Sequence, residues 1–299
     1  MTEVIEGRVR VSYGSHGIIQ LRDGRQVTVK YRRQVGRPFC GDEVSVSLLQ
    51  GSEGVVTEIH PRKNQFVRAD AQQRTSTVAA NLDQVLIVIS PRPLPSRDLV
   101  ERYLLAVHSL DIEPVILLNK AELPVSGDSS AGEEVINRLD EYRELGYPVI
   151  RTSCKGHPGI EGLLPLLSNK TSILVGQSGV GKSSLVRQIL PDLDIQTGAL
   201  SHSTGKGRHT TTTTILYDLP ENGSLLDSPG VWEYGLWKLG PEEIAHGFIE
   251  FRPFSGHCRF NDCRHTSEPG CAIKQALEAG HIRAWRYAAY TRILAQNNA

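Results

Sequence analysis

The sequence predicts a multidomain chain. A small N-terminal β-barrel comes first, a central α/β domain follows, and a mainly helical C-terminal segment is built round a cysteine cluster. Three observations carry this. Short β-branched runs separated by turn residues fill residues 1–70. From 71 to about 234, strand-like and helix-like segments alternate around one glycine-rich loop. In 235–299, three of the five cysteines crowd into the fourteen residues Cys258–Cys271.

The N-terminal runs are Arg8–Val11, Gly17–Leu21, Gln26–Lys30, Glu43–Val46 and Val55–Ile59, with Asp23-Gly24 and Gly41-Asp42 among the turns. Five short, evenly spaced strands match an OB-fold, a barrel that often takes oligonucleotides. Bulk charge says nothing of partners, since 33 Lys and Arg balance 33 Asp and Glu. Residues 1–74, however, carry twelve basic against eight acidic residues. Arg8, Arg10, Arg22, Arg25, Lys30, Arg32, Arg33 and Arg37 are candidates for a groove that tracks a nucleic-acid backbone. The alternative is a solvated basic face on a barrel that contacts protein. Met1–Val11 lacks the apolar core of a signal peptide. Apolar runs such as Val85–Ile89 fall far short of the roughly 20 residues that span a bilayer. An odd cysteine count favours reduced thiols in a cytosolic protein over disulfides.

A polar stretch, Arg62–Gln84, reads as a linker. Beyond it come a buried-strand run at Val85–Ser90, an amphipathic helix at Ser96–Asp111, and a strand at Val115–Leu118. A helix at Ala131–Leu145, a strand at Tyr147–Thr152 and a short helix at Ile160–Leu167 continue the alternation. Such alternation builds a mainly parallel sheet with helices on both faces, and ligands then sit at the carboxyl ends of the strands. The apolar Ile173-Leu174-Val175 leads into Gly176-Gln177-Ser178-Gly179-Val180-Gly181-Lys182-Ser183-Ser184, and Leu185–Leu190 reads as a helix. Strand, G-x-x-x-x-G-K-S and helix in that order make a P-loop. Its backbone N–H groups turn toward phosphate oxygens, Lys182 reaches the β- and γ-phosphates, and the Ser183 hydroxyl holds Mg²⁺.

Four further motifs resemble those of GTPases. Asn119-Lys120-Ala121-Glu122 resembles the guanine-reading N-K-x-D, and Ser153-Cys154-Lys155 resembles S-A-K. Thr210–Thr214, with Thr211 and Thr212 at its centre, resembles the first switch, and Asp227-Ser228-Pro229-Gly230 the D-x-P-G of the second. The base-reading motifs precede the P-loop here, so the chain resembles a circularly permuted GTPase. The resemblance implies that Glu122 accepts from the guanine N1–H and exocyclic amine, with Asn119 and Lys120 bracing its loop. It implies that the Ser153–Lys155 backbone meets guanine O6, that Asp227 holds Mg²⁺ and that Gly230 N–H meets the γ-phosphate. Glu122 is one methylene longer than the usual Asp, which keeps a P-loop ATPase open as an alternative. Val231 stands where many GTPases place a water-orienting Gln, so intrinsic hydrolysis should be slow. His209 and Lys238 are substitutes that spacing does not single out. A GTP-gated binding module whose hydrolysis is incidental is the other alternative.

In the tail, Cys258-x4-Cys263-x-His265-x5-Cys271 offers three thiolates and an imidazole, a set suited to a closed, structural tetrahedral Zn²⁺. His257 is an alternative ligand, less convenient beside Cys258. Helices are expected at Ala272–Glu278 and Ile282–Leu294. Arg259, Arg264, Lys274, Arg283, Arg286 and Arg292 either contact RNA or solvate helix faces. Barrel, permuted GTPase and Cys3His tail, with Gly207–Thr212 and Asp227–Val231, resemble the RsgA/YjeQ family of bacterial ribosome-assembly GTPases along nearly the whole chain. That resemblance implies a cytoplasmic, monomeric protein that binds the small (30S) ribosomal subunit and its 16S rRNA late in maturation, among other assembly factors. It also implies a slow GTP/GDP cycle that the subunit stimulates.

Overall fold

Alternating β-branched residues roll the first five strands into a closed barrel. In the computed structural model, which describes residues 4–49, 53–69, 75–125, 130–191, 214–228 and 239–297, they are β1 (Val4–Tyr13), β2 (His16–Leu21), β3 (Gln26–Lys30), β4 (Glu43–Leu48) and β5 (Glu53–Ile59). Strand β1 pairs antiparallel with both β2 and β4, β2 with β3, and β4 with β5. A parallel β3–β5 pairing closes the ring. Every second side chain faces inward, and Val9, Ile19, Val29, Val44, Val46 and Val56 fill the interior with no exposed surface.

The stretch expected to be a linker is instead a hairpin, β6 (Gln65–Ala69) and β7 (Thr75–Ala80). Its few apolar residues explain this, because Phe66, Ala79, Ala80 and Leu82 are all fully buried. The central sheet then runs β8 (Gln84–Ile89), β9 (Glu113–Leu118), β10 (Val149–Arg151), β11 (Thr171–Val175), β12 (Ile215–Asp218) and β13 (Ser224–Asp227). Its order is β10-β9-β8-β11-β13-β12, parallel except for the β12–β13 pair.

Strand β8 shows why both faces are covered. Val85, Ile87 and Ile89 pack toward α1 (Leu99–Ser109), α2 (Ala131–Asn137) and α3 (Leu139–Glu144). Leu86 and Val88 pack toward α4 (Leu164–Leu167) and α5 (Lys182–Ile189). The single helix expected over 131–145 is two, parted at Arg138.

Barrel and sheet are continuous, because β1 also pairs with β12 at Val11 and Ile215. Two arginines seal this seam. Arg8 donates to Thr171 Oγ1 at 2.7 Å and Ser224 Oγ at 3.3 Å, and Arg10, 5% exposed, pairs with Asp218. The expectation that both line a nucleic-acid groove is therefore corrected: they hold the domain joint together. Arg22 pairs with Glu6 and Arg25 with Asp23, which leaves Lys30, Arg32, Arg33 and Arg37 exposed without an ion pair among the described residues.

The tail comprises α6 (Pro241–Gly247), a 3₁₀ turn at Ile249–Phe254, α7 (Ala272–Glu278) and α8 (Ala284–Asn297). It docks onto α1 and α3 through charge. Arg286, 1% exposed, holds Glu250 at 2.5 and 3.2 Å and lies 3.7 Å from Glu101. Arg283 reaches Glu141 and Glu144, and Arg292 reaches Asp98 at 2.7 Å. Arg286 is thus structural, correcting for it the expectation of RNA contact or simple solvation, while Arg283 and Arg292 are ion-paired at the seam with part of their side chains exposed. No helix among the described residues is long and apolar enough to cross a membrane.

Candidate functional site

Three loops meet at the carboxyl ends of β9, β10 and β11. The first turn after β11 needs glycine twice. A Cβ at Gly176 (φ +148°) would lie 2.3 Å from the Val88 carbonyl oxygen, and one at Gly181 (φ +96°) 2.4 Å from Asn119 Nδ2. Lys182, at the start of α5, turns back over the loop and donates to the carbonyls of Gly176 and Gln177 at 2.6 and 3.0 Å. Ser183 and Ser184 are on the accessible side of the same turn, while Val180 is fully buried. Gln177 Nε2 donates to the Leu94 carbonyl at 2.9 Å, and Pro93 stands against Gly179.

The loop after β9 is latched to this turn. Asn119, 1% exposed, donates from Nδ2 to the Val180 carbonyl at 2.9 Å and accepts from Thr152 Oγ1 at 3.2 Å. Lys120 Nζ donates to the carbonyls of Gly179 and Arg92 at 2.6 and 2.7 Å. Across the next loop, the Ala121 N–H bonds the Thr152 carbonyl, and Ser153 Oγ accepts the N–H groups of Lys155 and Gly156 at 3.1 and 2.8 Å. That leaves the Cys154 N–H without a partner among the described residues. Glu122 is exposed and stands against Gly156. Burial raises the Cys154 thiol, and the nearby Glu122 carboxylate raises it further. The sequence-predicted residues of all three loops therefore converge. Thr152, the 90–95 loop and Gln188, which donates to the Cys154 carbonyl at 3.1 Å, join them. None of those carries a motif, and only the buried strand-end register points to Thr152.

Asp227 ends β13 next to β11, since Leu226 pairs with Ile173. Burial raises its carboxyl above the ordinary range, and no cationic side chain among the described residues offsets this. A half-buried carboxylate without a cation among the described residues, one strand away from the β11 loop, suits a divalent ion such as Mg²⁺. Thr211, Thr212, Gly230 and Val231, with His209 and Lys238, lie outside the described residues. Thr214 and Ser228, which border them, hydrogen-bond through their hydroxyls at 2.9 Å.

The tail brings the four expected ligands together. The donor atoms of Cys258, Cys263, His265 and Cys271 lie within 4.8 Å of one another and can hold a metal ion. His265 Nδ1 is 3.5 Å from the sulfurs of Cys258 and Cys271, which are 3.9 Å apart. A tetrahedral ion with bonds of about 2.3 Å to sulfur and 2.0 Å to nitrogen places such pairs about 3.5 and 3.8 Å apart, so the set fits. The loop is braced from outside, with Tyr287 and Tyr290 donating to the carbonyls of His265 and Arg264 at 2.6 and 2.7 Å. Glu268 accepts the N–H groups of Arg264 and Thr266.

The sequence profile of the family described as RsgA GTPase matches residues 59–237. A protein of Shewanella oneidensis, described as a small ribosomal subunit biogenesis GTPase RsgA, is 42% identical over 295 residues, covering 97% of this chain and 82% of its own. One of Chromohalobacter salexigens with the same description is 45% identical over 254 residues, covering 85% and 74%. The crystal structure of YjeQ from Thermotoga maritima superimposes with a TM-score of 0.80 at 30% identity over 99% of both chains. That of YloQ, described as a circularly permuted GTPase, does so with a TM-score of 0.76 at 27% identity over 99% and 96%.

Proposed function

Because the chain belongs to the RsgA GTPase family, we propose that it binds and hydrolyses GTP while assisting late maturation of the small ribosomal subunit. The observation that carries this is the latch of Asn119 and Lys120 onto Val180 and Gly179. It joins a base-reading loop to a phosphate loop although their order in the chain is rotated. On this reading Glu122 accepts the two guanine donors, and the free Cys154 N–H donates to O6. The backbone from Gly176 to Ser184 cradles the phosphates. Lys182 leaves its loop carbonyls for the β- and γ-oxygens, and Ser183 and Asp227 hold Mg²⁺, with Gly230, Thr211 and Thr212 completing the γ-phosphate end. A bound Mg²⁺ supplies charge stabilisation. The protein residues orient the nucleotide and exclude adenine by leaving Glu122 unpaired in the wrong complex.

The ion of the Cys3His cluster is proposed to be one structural zinc per chain, since the fourth position is filled by protein. Residues 1–70 hold 16S rRNA through Lys30, Arg32, Arg33 and Arg37, 71–234 process the nucleotide, and 235–299 carry the zinc. The protein is proposed to act as a cytoplasmic monomer. Val231 supports slow intrinsic turnover that the subunit accelerates. It equally favours a second reading, a GTP-gated binding module with incidental hydrolysis.

Turnover of GTP titrated with purified small subunits at two salt concentrations tests the proposal. Stimulation by small and not large subunits is expected, weakening as salt rises because rRNA phosphates release counterions. Lys182→Ala should abolish both the basal and the stimulated rate. A flat titration at low salt would remove the ribosomal role, and a basal rate unaltered in Lys182→Ala would remove the nucleotide site.

A further inference from the structure

A cavity of about 420 Å³ opens where the barrel, the β6–β7 hairpin and the β12–β13 edge of the central sheet meet. Two exposed cations line it, Arg37 from the β3–β4 loop and Arg68 from β6, together with the hydroxyls of Ser76, Thr77, Thr214 and Ser228. No carboxylate among the described residues lines it. Two nearby arginines are committed elsewhere: Arg10 to Asp218, and Arg62 to both oxygens of Asp42 at 2.7 and 2.8 Å. Arg37 and Arg68 have no ion pair among the described residues. Arg37 lies over the Phe39 ring, 5.6 Å from its centroid, and Arg68 Nε reaches only Ser76 Oγ at 3.4 Å. Two guanidiniums without an ion pair among the described residues, with the Ser76, Thr214 and Ser228 hydroxyls in the same concave wall, focus positive potential, and the planar guanidinium fork matches phosphate oxygens.

We propose that this cavity is an anion site for a backbone phosphate of bound RNA, seated between Arg37 and Arg68. Its position gives it a second consequence. Thr214 and Ser228 border the two switch segments and bond each other at 2.9 Å, and the Thr214 carbonyl also accepts from the buried Cys40 thiol at 3.2 Å. A phosphate bonded to either hydroxyl competes with that bond. That the phosphate belongs to RNA rests on the function proposed for the barrel; the anion site does not.

The test uses the full chain with GDP at saturation, so that the P-loop is filled. A fluorescent oligouridylate of about 12 nucleotides, within the usual span of an OB-fold, is bound by wild type and by Arg37→Ala/Arg68→Ala across a salt series. In a parallel arm, calorimetry follows inorganic tripolyphosphate. GDP affinity of both proteins checks the fold. Loss of two phosphate contacts should flatten the log–log salt slope by about 1.4 and weaken oligonucleotide binding about tenfold at low salt. Arg37→Lys/Arg68→Lys should recover much of the slope, since a lysine keeps the charge. Equal slopes and affinities in wild type and the alanine variant would overturn the site. Should wild type bind tripolyphosphate through these arginines but no oligonucleotide, the anion site stands and the RNA role of the barrel fails instead. Binding of neither would refute both.

Discussion

Replacing Glu250 by glutamine should loosen the tail, and replacing Glu101 by glutamine should not, although both carboxylates face the same buried guanidinium. Arg286 is 1% exposed and bidentate to Glu250 at 2.5 and 3.2 Å, with its Cζ 4.4 Å from the Phe248 ring centroid. Burial would depress the guanidinium, but the Glu250 charge and hydrogen bonds outweigh that and hold its pKa above the usual value. Removing one partner of a buried pair costs about 3–5 kcal/mol. The amide of Glu250→Gln would keep one acceptor, and Glu101 stands 3.7 Å away, so the loss should fall near the lower end, about 3 kcal/mol. Glu101 differs. Burial raises its carboxyl, Arg286 only partly offsets this, and Tyr142 Oη donates to it. The amide of Glu101→Gln would still accept from Tyr142 and would remove a buried charge that is expensive to desolvate, so its effect should stay below about 1 kcal/mol. The sign with pH follows. A carboxyl whose folded pKa is raised contributes most below its unfolded value of about 4.3, and that contribution fades as pH rises through the folded pKa. Wild type should therefore lose ground to Glu101→Gln from acid toward neutral pH. Calorimetric unfolding of wild type and both variants at about pH 4 and at neutral pH, from below the unfolded value into that window, is the assay. Equal destabilisation by the two substitutions would refute the assignment of Glu250 as the working partner.

Glu122→Ala should weaken GDP binding by about 2 kcal/mol, roughly thirtyfold, and strengthen any ADP binding by removing the carboxylate that adenine leaves unpaired; fluorescent-nucleotide displacement measures both, and unaltered GDP affinity would mean the base is read elsewhere. Purified protein should carry one zinc per chain, and Cys263→Ser should lose it and unfold the tail, because metal binding energy is folding energy in such modules. GDP affinity should change little, since the Asn119–Val180 latch belongs to the nucleotide domain. Metal analysis that finds no zinc in freshly isolated wild type would end that reading.

What the sequence by itself determined is the chemistry that needs short spacing. Gly176–Ser183 makes a phosphate loop within one turn, and Cys258–Cys271 closes a ligand set within fourteen residues. The five barrel strands were legible from β-branched runs, and Asn119 and Ser153 from their places after apolar strands, because strand ends in a parallel sheet share one edge. The short strands β12 and β13 carried too few residues to stand out, and the hairpin β6–β7 was hidden in a polar stretch whose few buried apolar residues, Phe66, Ala79, Ala80 and Leu82, make no alternating run. Charge was the least legible property. Arg8, Arg10, Arg283, Arg286 and Arg292 look no different in sequence from Arg32, Arg33, Arg37 and Arg68. Yet each of the first five has a partner between 139 and 216 positions away. Only the tertiary structure decides which guanidinium is held in a seam and which is left facing a cavity. A charge's role depends on what the fold brings to it and on how much water the fold removes.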